Sequence, residues 1–438
     1  MKKFFTTIRN IFTIEELRIK IINTLGLLMI FRLGSFIVLP GVDPNGLGGD
    51  AQGIFGIIDT FLGGAFSNAS IFGLGIMPYI SASIVLQLLT VAVPYFQKLQ
   101  KEGDSGRKKI NQITRVLTIA ITMAQGTAYI NASIPREAIL VQNMFVFNIS
   151  SIVILTAGTI FCMWLGEKIT DKGIGNGISM LIMIGIISRF PGSIIAEALS
   201  RGLNQALFFV IEIVALFFVV MGVVMLTQAT RRIPVQYAKQ VVGNKVYGGQ
   251  RQYIPLKVNA AGVMPIIFAQ SLMFLPAMIS GIWADSSDIA LYIGTTFSDF
   301  QSWQYNTVFA IMIMLFTFFY TAITINPNQI ADDMKRNGGF IPGIKPGKQT
   351  SEFIDNILTK ITFPGSIFLA LIAIMPSFAG IAGVSIQFAQ FYGGTSLLIM
   401  VGVILDTLQQ IESYLLMRHY EGMMKSGRIK GRSQVAMA

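Results

Sequence analysis

The chain has 438 residues, of which 53% are hydrophobic and only 13% charged, against about 25% charged in an ordinary soluble domain. With a mean hydropathy of +0.63, this excludes a disordered chain and a disulfide scaffold, argues against a soluble globule, and leaves a polytopic α-helical membrane protein. The net charge is +11, and there is one cysteine, Cys162, and one histidine, His419, too few for an intramolecular disulfide or a histidine-based metal site.

In chain order, the first feature is a basic N-terminus in which Phe4, Phe5, Ile8, Ile11 and Phe12 share one helical face. That pattern predicts a helix lying in the membrane interface, with a partly ordered tail as the alternative. No A-x-A-like site follows the first apolar run, so a cleaved signal peptide is not expected. A helix crosses ~30 Å of hydrocarbon with ~20 apolar residues. Such runs predict ten spans, near 20–40, 76–94, 113–131, 147–166, 177–195, 206–227, 260–282, 306–326, 363–381 and 394–416. With the N-terminus assigned to the cytoplasm, 29 of the 33 Lys and Arg face that side and three the other, with Arg32 inside span 1. This asymmetry obeys the positive-inside rule, supports the span count and puts both termini in the cytoplasm.

Between spans 1 and 2, residues 53–66 (GIFGIIDTFLGGAF) are apolar but too short to cross. They read either as a re-entrant segment beside a cavity or as an interfacial helix. The sixth loop, about 228–259, carries six Lys/Arg and no acid, and Gly243-Asn244 marks a β-hairpin turn within it. The eighth, about 327–360, contains Asn337-Gly338-Gly339, which stops a helix extending from the membrane, and Thr350, which caps a short helix. The two loops form either a basic docking platform for an acidic partner or a charge bias set by topology alone. Within the spans, Arg32 and Glu212 read as interfacial anchors, and Asp406 as either a helix–helix hydrogen bond or a functional group. Cys162 reads as a small packing residue. Nucleotide-binding, zinc-protease and serine-hydrolase motifs are absent. The spans lack the carboxylate cluster of an ion-coupled transporter and the constellation of an intramembrane enzyme.

Long ordered strings then become decisive: ASIFGLGIMPYISASIVLQLL (69–89), KEGDSGRKKI (101–110), DKGIGNGIS (171–179), RRIPVQYAK (231–239), YIPLKVNAAGVMPIIFAQS (253–271), GGFIPGIKPGKQT (338–350) and GGTSLLI (393–399). Over essentially the whole chain they closely resemble the SecY family, the large subunits of the bacterial Sec translocon. The resemblance implies an all-α, ten-span channel in two pseudo-symmetric halves, here 1–195 and 196–438, with a re-entrant plug helix at about 53–66. It implies passage of unfolded preproteins across the bacterial cytoplasmic membrane and release of apolar segments into the lipid bilayer. The implied partners are SecE, SecG, the SecA ATPase, the ribosome, and signal peptides or nascent chains; no enzymatic activity, cofactor or metal is implied.

Carried over by motif, the pore ring is Ile76, Ile80, Ile178, Ile182, Ile267 and Ile399, and the plug contains Ile57, Ile58, Asp59, Phe61 and Leu62. Ile76/Ile80 and Ile178/Ile182 are i,i+4 pairs, so each shares a helical face. The resemblance places spans 2 and 3 against 7 and 8 at a lateral gate, where Ser81, Ser83, Gln87, Gln270 and Ser271 are candidate polar contacts. Docking of SecA or the ribosome falls to Arg231, Arg232, Lys239, Lys245, Lys345 and Lys348. Family members usually carry Arg where Lys345 stands, and lysine lacks arginine's planar fork.

Overall fold

The computed structural model describes residues 14–47, 59–202, 205–237, 240–242, 245–247, 251–270, 272–273, 292, 296–297, 299 and 301–425. The N-terminal face of Phe4 to Phe12, Ile57, Ile58, Lys239, the Gly243-Asn244 tip and Ser271 lie outside the described residues.

Helix α1 spans Glu15–Gly34, α2 Met77–Ala92 and α3 Pro94–Lys101. Longer helices follow: α4 over Asp104–Ser133, α5 over Met144–Lys172, α6 over Gly177–Arg201 and α7 over Ala206–Gln228. After a stranded region come α8 (Trp303–Thr324), α9 (Pro327–Arg336), α10 (Lys348–Ile381), α11 (Ile386–Ala389) and α12 (Gly394–Lys425). Side-chain caps set several starts. Asn143 accepts from the amides of Phe145 and Val146, Asn176 from Ile178 and Ser179, and Ser302 from Tyr305. Among the described residues, α5, α6, α7, α8 with α9, α10 and α12 are long and apolar enough to cross a membrane. A further candidate is the pair α2 and α3, bent by 102° at Pro94, where proline cannot continue the amide ladder. The expected spans 1 and 3 correspond to α1 and α4, whose first turns carry charge (Glu15, Glu16; Asp104).

Three local expectations are corrected. Span 1 ends at Gly34, six residues early; the chain then turns so that Val38 bridges Ser70. The helix leaving span 8 does not run unbroken to Asn337. It stops at Thr324, and a new helix starts with Asn326 as cap and Pro327 at its first position, where the missing proline amide costs nothing. Thr350 caps no separate helix: α10 starts at Lys348 and continues to Ile381 through Pro364 and Pro376. The Thr350 hydroxyl instead donates to the Lys345 carbonyl at 2.9 Å, tying the preceding turn to the helix.

The basic loops build one body. Strands β1 (Thr230–Tyr237) and β4 (Arg251–Lys257) pair antiparallel in the register Arg232↔Pro255. Between them, β2 (Gln240–Val242) pairs with β3 (Lys245–Tyr247), as the expected hairpin requires. Strand β5 (Gly339–Phe340), from the eighth loop, adds to β1 through Gln236↔Phe340. Ile233, Val235 and Leu256 from the strands bury with Met334, Ile341, Ile354 and Leu358 in one apolar core. Alternation along β1 turns Ile233 and Val235 inward and Arg232 and Pro234 outward, and Arg231 at the start of the strand is exposed as well.

Candidate functional site

The predicted isoleucines start from distant parts of the chain and meet. Ile76 is the cap residue of α2 and Ile80 lies one turn further on; Ile178 and Ile182 occupy the first two turns of α6. Ile267 lies in the helical residues 264–270, and Ile399 in the second turn of α12. One apolar cluster contains Ile76 and Ile399 as buried members, with Ile80, Ile178, Ile182 and Ile267 packed against it.

The cluster encloses little space. A void of about 20 Å³ is bounded by Ile80, Ile182, Ile267 and Ile399 together with Phe61, Met77 and Gln270. A second, of about 10 Å³, adds Ile76, Leu62, Phe31 and Leu181. One water needs about 10–15 Å³ on this measure and two to four polar partners. The walls of both voids are almost wholly apolar and offer water few partners. Met77 faces both voids, and nothing in its sequence spacing marked it.

Phe61 and Leu62 belong to a short buried turn. Residues 59–62 are helical, and the chain then reverses at Gly63 and Gly64, whose φ angles of +62° and +94° suit glycine. Asp59, Phe61 and Leu62 are all buried. The turn packs so closely on α6 that a Cβ at Gly185 would lie 2.1 Å from the Phe61 carbonyl oxygen.

Polar groups moor this segment. Asp59 pairs with Arg189 of α6 and accepts from the Ser67 amide at 2.9 Å and the Ser67 hydroxyl at 3.0 Å. Arg189 also donates to Ser67 Oγ at 3.0 Å. Arg32 donates from Nη1 to the Gly63 carbonyl at 3.0 Å, Thr60 bonds Gln390, and the Tyr129 hydroxyl donates to the Phe66 carbonyl at 2.7 Å. Arg32 therefore corrects the expectation of an interfacial anchor: desolvated guanidinium gains more from a fixed carbonyl than from a distant interface. Glu212 likewise turns inward, pairing with Arg201 at 2.5 Å. Asp406 is exposed on the isolated chain. Neither Arg189 nor Gln390 was singled out in the sequence. The available signal was Asp59, the sole acid of an apolar segment, which needs a cation once buried.

The seam between α2 and the helix from 264 is mostly apolar. Ile80, Ile84 and Leu88, spaced at i,i+4, pack on the cluster that holds Ile266, Phe268 and Ala269. Ser81, Ser83 and Gln87 are half-buried. Gln87 donates to Ser83 at 3.4 Å within α2. The isoleucine stripe takes the facing positions because a helix offers one stripe to a neighbour. Gln270 does reach the centre, bordering the larger void and a polar cavity of about 40 Å³ lined by Asn306, Ser377, Gln390 and Ser396 among others.

Arg231, Arg232, Lys345 and Lys348 are exposed on the basic body, and the Lys245 backbone lies in β3. Lys348 approaches Glu352 only to 3.9 Å with both side chains largely solvated, a pair that contributes little. These cations stay available to a partner.

A family model for SecY matches residues 70–408. The protein translocase subunit SecY of Streptomyces scabiei is 43% identical over 438 residues, covering 96% of this chain and all of the relative. A solved protein-conducting channel superposes with a TM-score of 0.64 at 17% identity, covering 90% of this chain and 92% of that one. Sec61 in the canine ribosome–channel complex gives a TM-score of 0.60 at 16% identity, with the same coverage. The structural likenesses carry the fold; the full-length identity and the family model carry the conclusion that this multi-pass helical membrane protein belongs to the SecY family.

Proposed function

We propose that the chain is the protein-conducting subunit of a bacterial protein translocase, passing unfolded polypeptide across the cytoplasmic membrane and releasing apolar segments sideways into lipid. The observation that carries this reading is the convergence of six isoleucines from four parts of the chain on one nearly voidless centre, capped by Phe61. Residues 1–195 and 196–438 act as two halves around that centre, with both termini in the cytoplasm.

The six isoleucines form a constriction that is closed at rest. Branched apolar side chains exclude ions by dewetting, and they give a sliding chain no charged or hydrogen-bonding group to stick to. The 59–66 turn, with Ile57 and Ile58 before it, is the plug. Its moorings are single side-chain contacts to Arg32, Tyr129, Arg189 and Gln390, so a polypeptide entering the centre displaces it without unfolding a helix.

The seam of Ile80, Ile84 and Leu88 is the lateral gate, with Ser81, Ser83, Gln87, Gln270 and Ser271 around it. A segment in the pore samples lipid when the seam parts; leucine gains there, whereas Asp or Lys loses ~2.5–3.5 kcal/mol at the bilayer centre. The chain supplies no energy source of its own and is not an enzyme; SecA or a translating ribosome drives movement, and SecE and SecG complete the channel. Arg231, Arg232, Lys239, Lys245, Lys345 and Lys348 dock those drivers. The canine relative in its ribosome–channel complex supports the ribosome as one of them.

The test is reconstitution with SecE and SecG in vesicles, adding SecA and a preprotein. ATP-dependent protection of the preprotein is expected, and Lys345→Glu impairs it while leaving insertion of the channel intact. No transport by the wild-type complex overturns the reading; normal transport by Lys345→Glu removes that residue from the docking set.

A further inference from the structure

Away from the pore and plug, a compact polar cluster lies where α6 gives way to α7. Arg201, the last residue of α6, donates from Nε to Glu197 at 2.9 Å, and from Nη2 to Glu212 at 2.5 Å and the Gly383 carbonyl at 2.6 Å. The second oxygen of Glu197 accepts from the Ser385 amide at 3.1 Å. The Tyr392 hydroxyl donates to the Glu212 main-chain carbonyl at 2.6 Å. Together these contacts hold the 383–392 segment on the joint between two spans.

The charges do not balance if all are ionised: two carboxylates face one guanidinium. Glu197 is 1% exposed and Glu212 9%, so water does little to make up the difference. Among the described residues, Oε2 of Glu212 and Oγ of Ser385 are buried and find no hydrogen-bond partner. A buried carboxylate oxygen left without a donor is strongly disfavoured. Nε and Nη2 lie on one edge of the Arg201 guanidinium, so the Glu197 and Glu212 oxygens they bind are held side by side. Two carboxylates are both acceptors and attract each other only when one carries a proton.

We propose that this cluster is a proton-binding site, in which Glu197 and Glu212 share one proton beside Arg201 and the neutral cluster clamps residues 383–392 to the α6–α7 joint. The charged and titratable groups facing Glu212 are Glu197 and Arg201 from α6 and Tyr392 from the clamped segment; α7 contributes no other. Charge neutrality needs one added positive charge, and the Arg201 guanidinium beside the site favours a proton, which forms a covalent O–H, over a metal ion. Loss of the proton at higher pH leaves two buried carboxylates repelling across one guanidinium, and the clamp loosens. The same segment contains Gln390, the partner of Thr60. The site stands on its own contacts and does not depend on the translocation reading.

The experiment uses the full-length chain purified with its membrane partners. Infrared spectra at neutral pH should contain a carboxylic-acid carbonyl band that Glu212→Gln and Glu197→Gln each diminish. A clamp that needs the shared proton adds stability at low pH and loses it as pH rises and the proton leaves. As pH is raised, the wild-type Tm should fall by about 2 °C or more relative to Glu212→Gln, whose amide cannot lose the shared proton. If Glu212→Gln does not fold, Glu197→Gln provides the same comparison. Parallel pH curves, a band unchanged in both variants, or stability that follows sodium concentration at fixed pH would each overturn the proton site.

Discussion

Asp59→Ala should unseat the plug. Asp59 is 3% exposed and accepts from Arg189, the Ser67 amide and the Ser67 hydroxyl. Alanine removes one charge-assisted hydrogen bond, worth ~1.5–3 kcal/mol, and strands a buried amide, worth about 1 kcal/mol. The full ~3–5 kcal/mol of a broken buried pair is not expected, since the Arg189 side chain is 28% exposed and keeps its bond to Ser67 Oγ. A net loss of about 2.5–4 kcal/mol raises the unseated population roughly 60- to 700-fold, at 1.4 kcal/mol per tenfold. The assay is resting ion conductance in planar bilayers holding the assembled channel without substrate. Asp59→Ala should open more often than wild type by a factor of that order, until the unseated state dominates. Asp59→Asn keeps an acceptor for the Ser67 amide and should have a smaller effect. Resting conductance indistinguishable from wild type in Asp59→Ala would refute the mooring, provided the variant assembles normally.

Gly185→Ala should raise the same resting conductance, because its Cβ would meet the Phe61 carbonyl oxygen at 2.1 Å and backbone cannot step aside; Gly222→Ala, whose Cβ meets nothing within 4 Å, is the matched control and should behave as wild type. Ile399→Asn should increase ion leak by placing an amide in the apolar centre, more than Ile178→Asn does, since Ile399 is buried and Ile178 half-buried; equal and unchanged leak in both would remove them from the constriction. Ile84→Ala should weaken the seam by about 2 kcal/mol, the low end for a buried large-to-small change, measured as faster transport of preproteins with weakened signal segments.

Much of this protein is legible without coordinates. The spans follow from runs of ~20 apolar residues, because bilayer thickness imposes a length that composition must meet. The hairpin at 230–257 follows from alternation around Gly243-Asn244. The ring isoleucines follow from motif resemblance, and their i,i+4 spacing agrees with the faces they occupy. The seam was less legible. Ser81, Ser83 and Gln87 are half-buried beside the stripe of Ile80, Ile84 and Leu88, which packs on the facing cluster. In a chain rich in isoleucine, one apolar stripe among many carries no distinguishing mark.

The amino-acid sequence by itself determined the helical membrane class and its long apolar helices, which depend on hydrophobicity summed over neighbouring residues. Only the tertiary structure decided which charges are neutralised and by what: Arg189 with Asp59, Arg32 with the Gly63 carbonyl, Arg201 between Glu197 and Glu212. It also decided that β5 joins two loops roughly a hundred residues apart into one body. Those outcomes depend on contacts between residues remote along the chain, where a shift of a few ångströms separates a buried, paired charge from an untenable one.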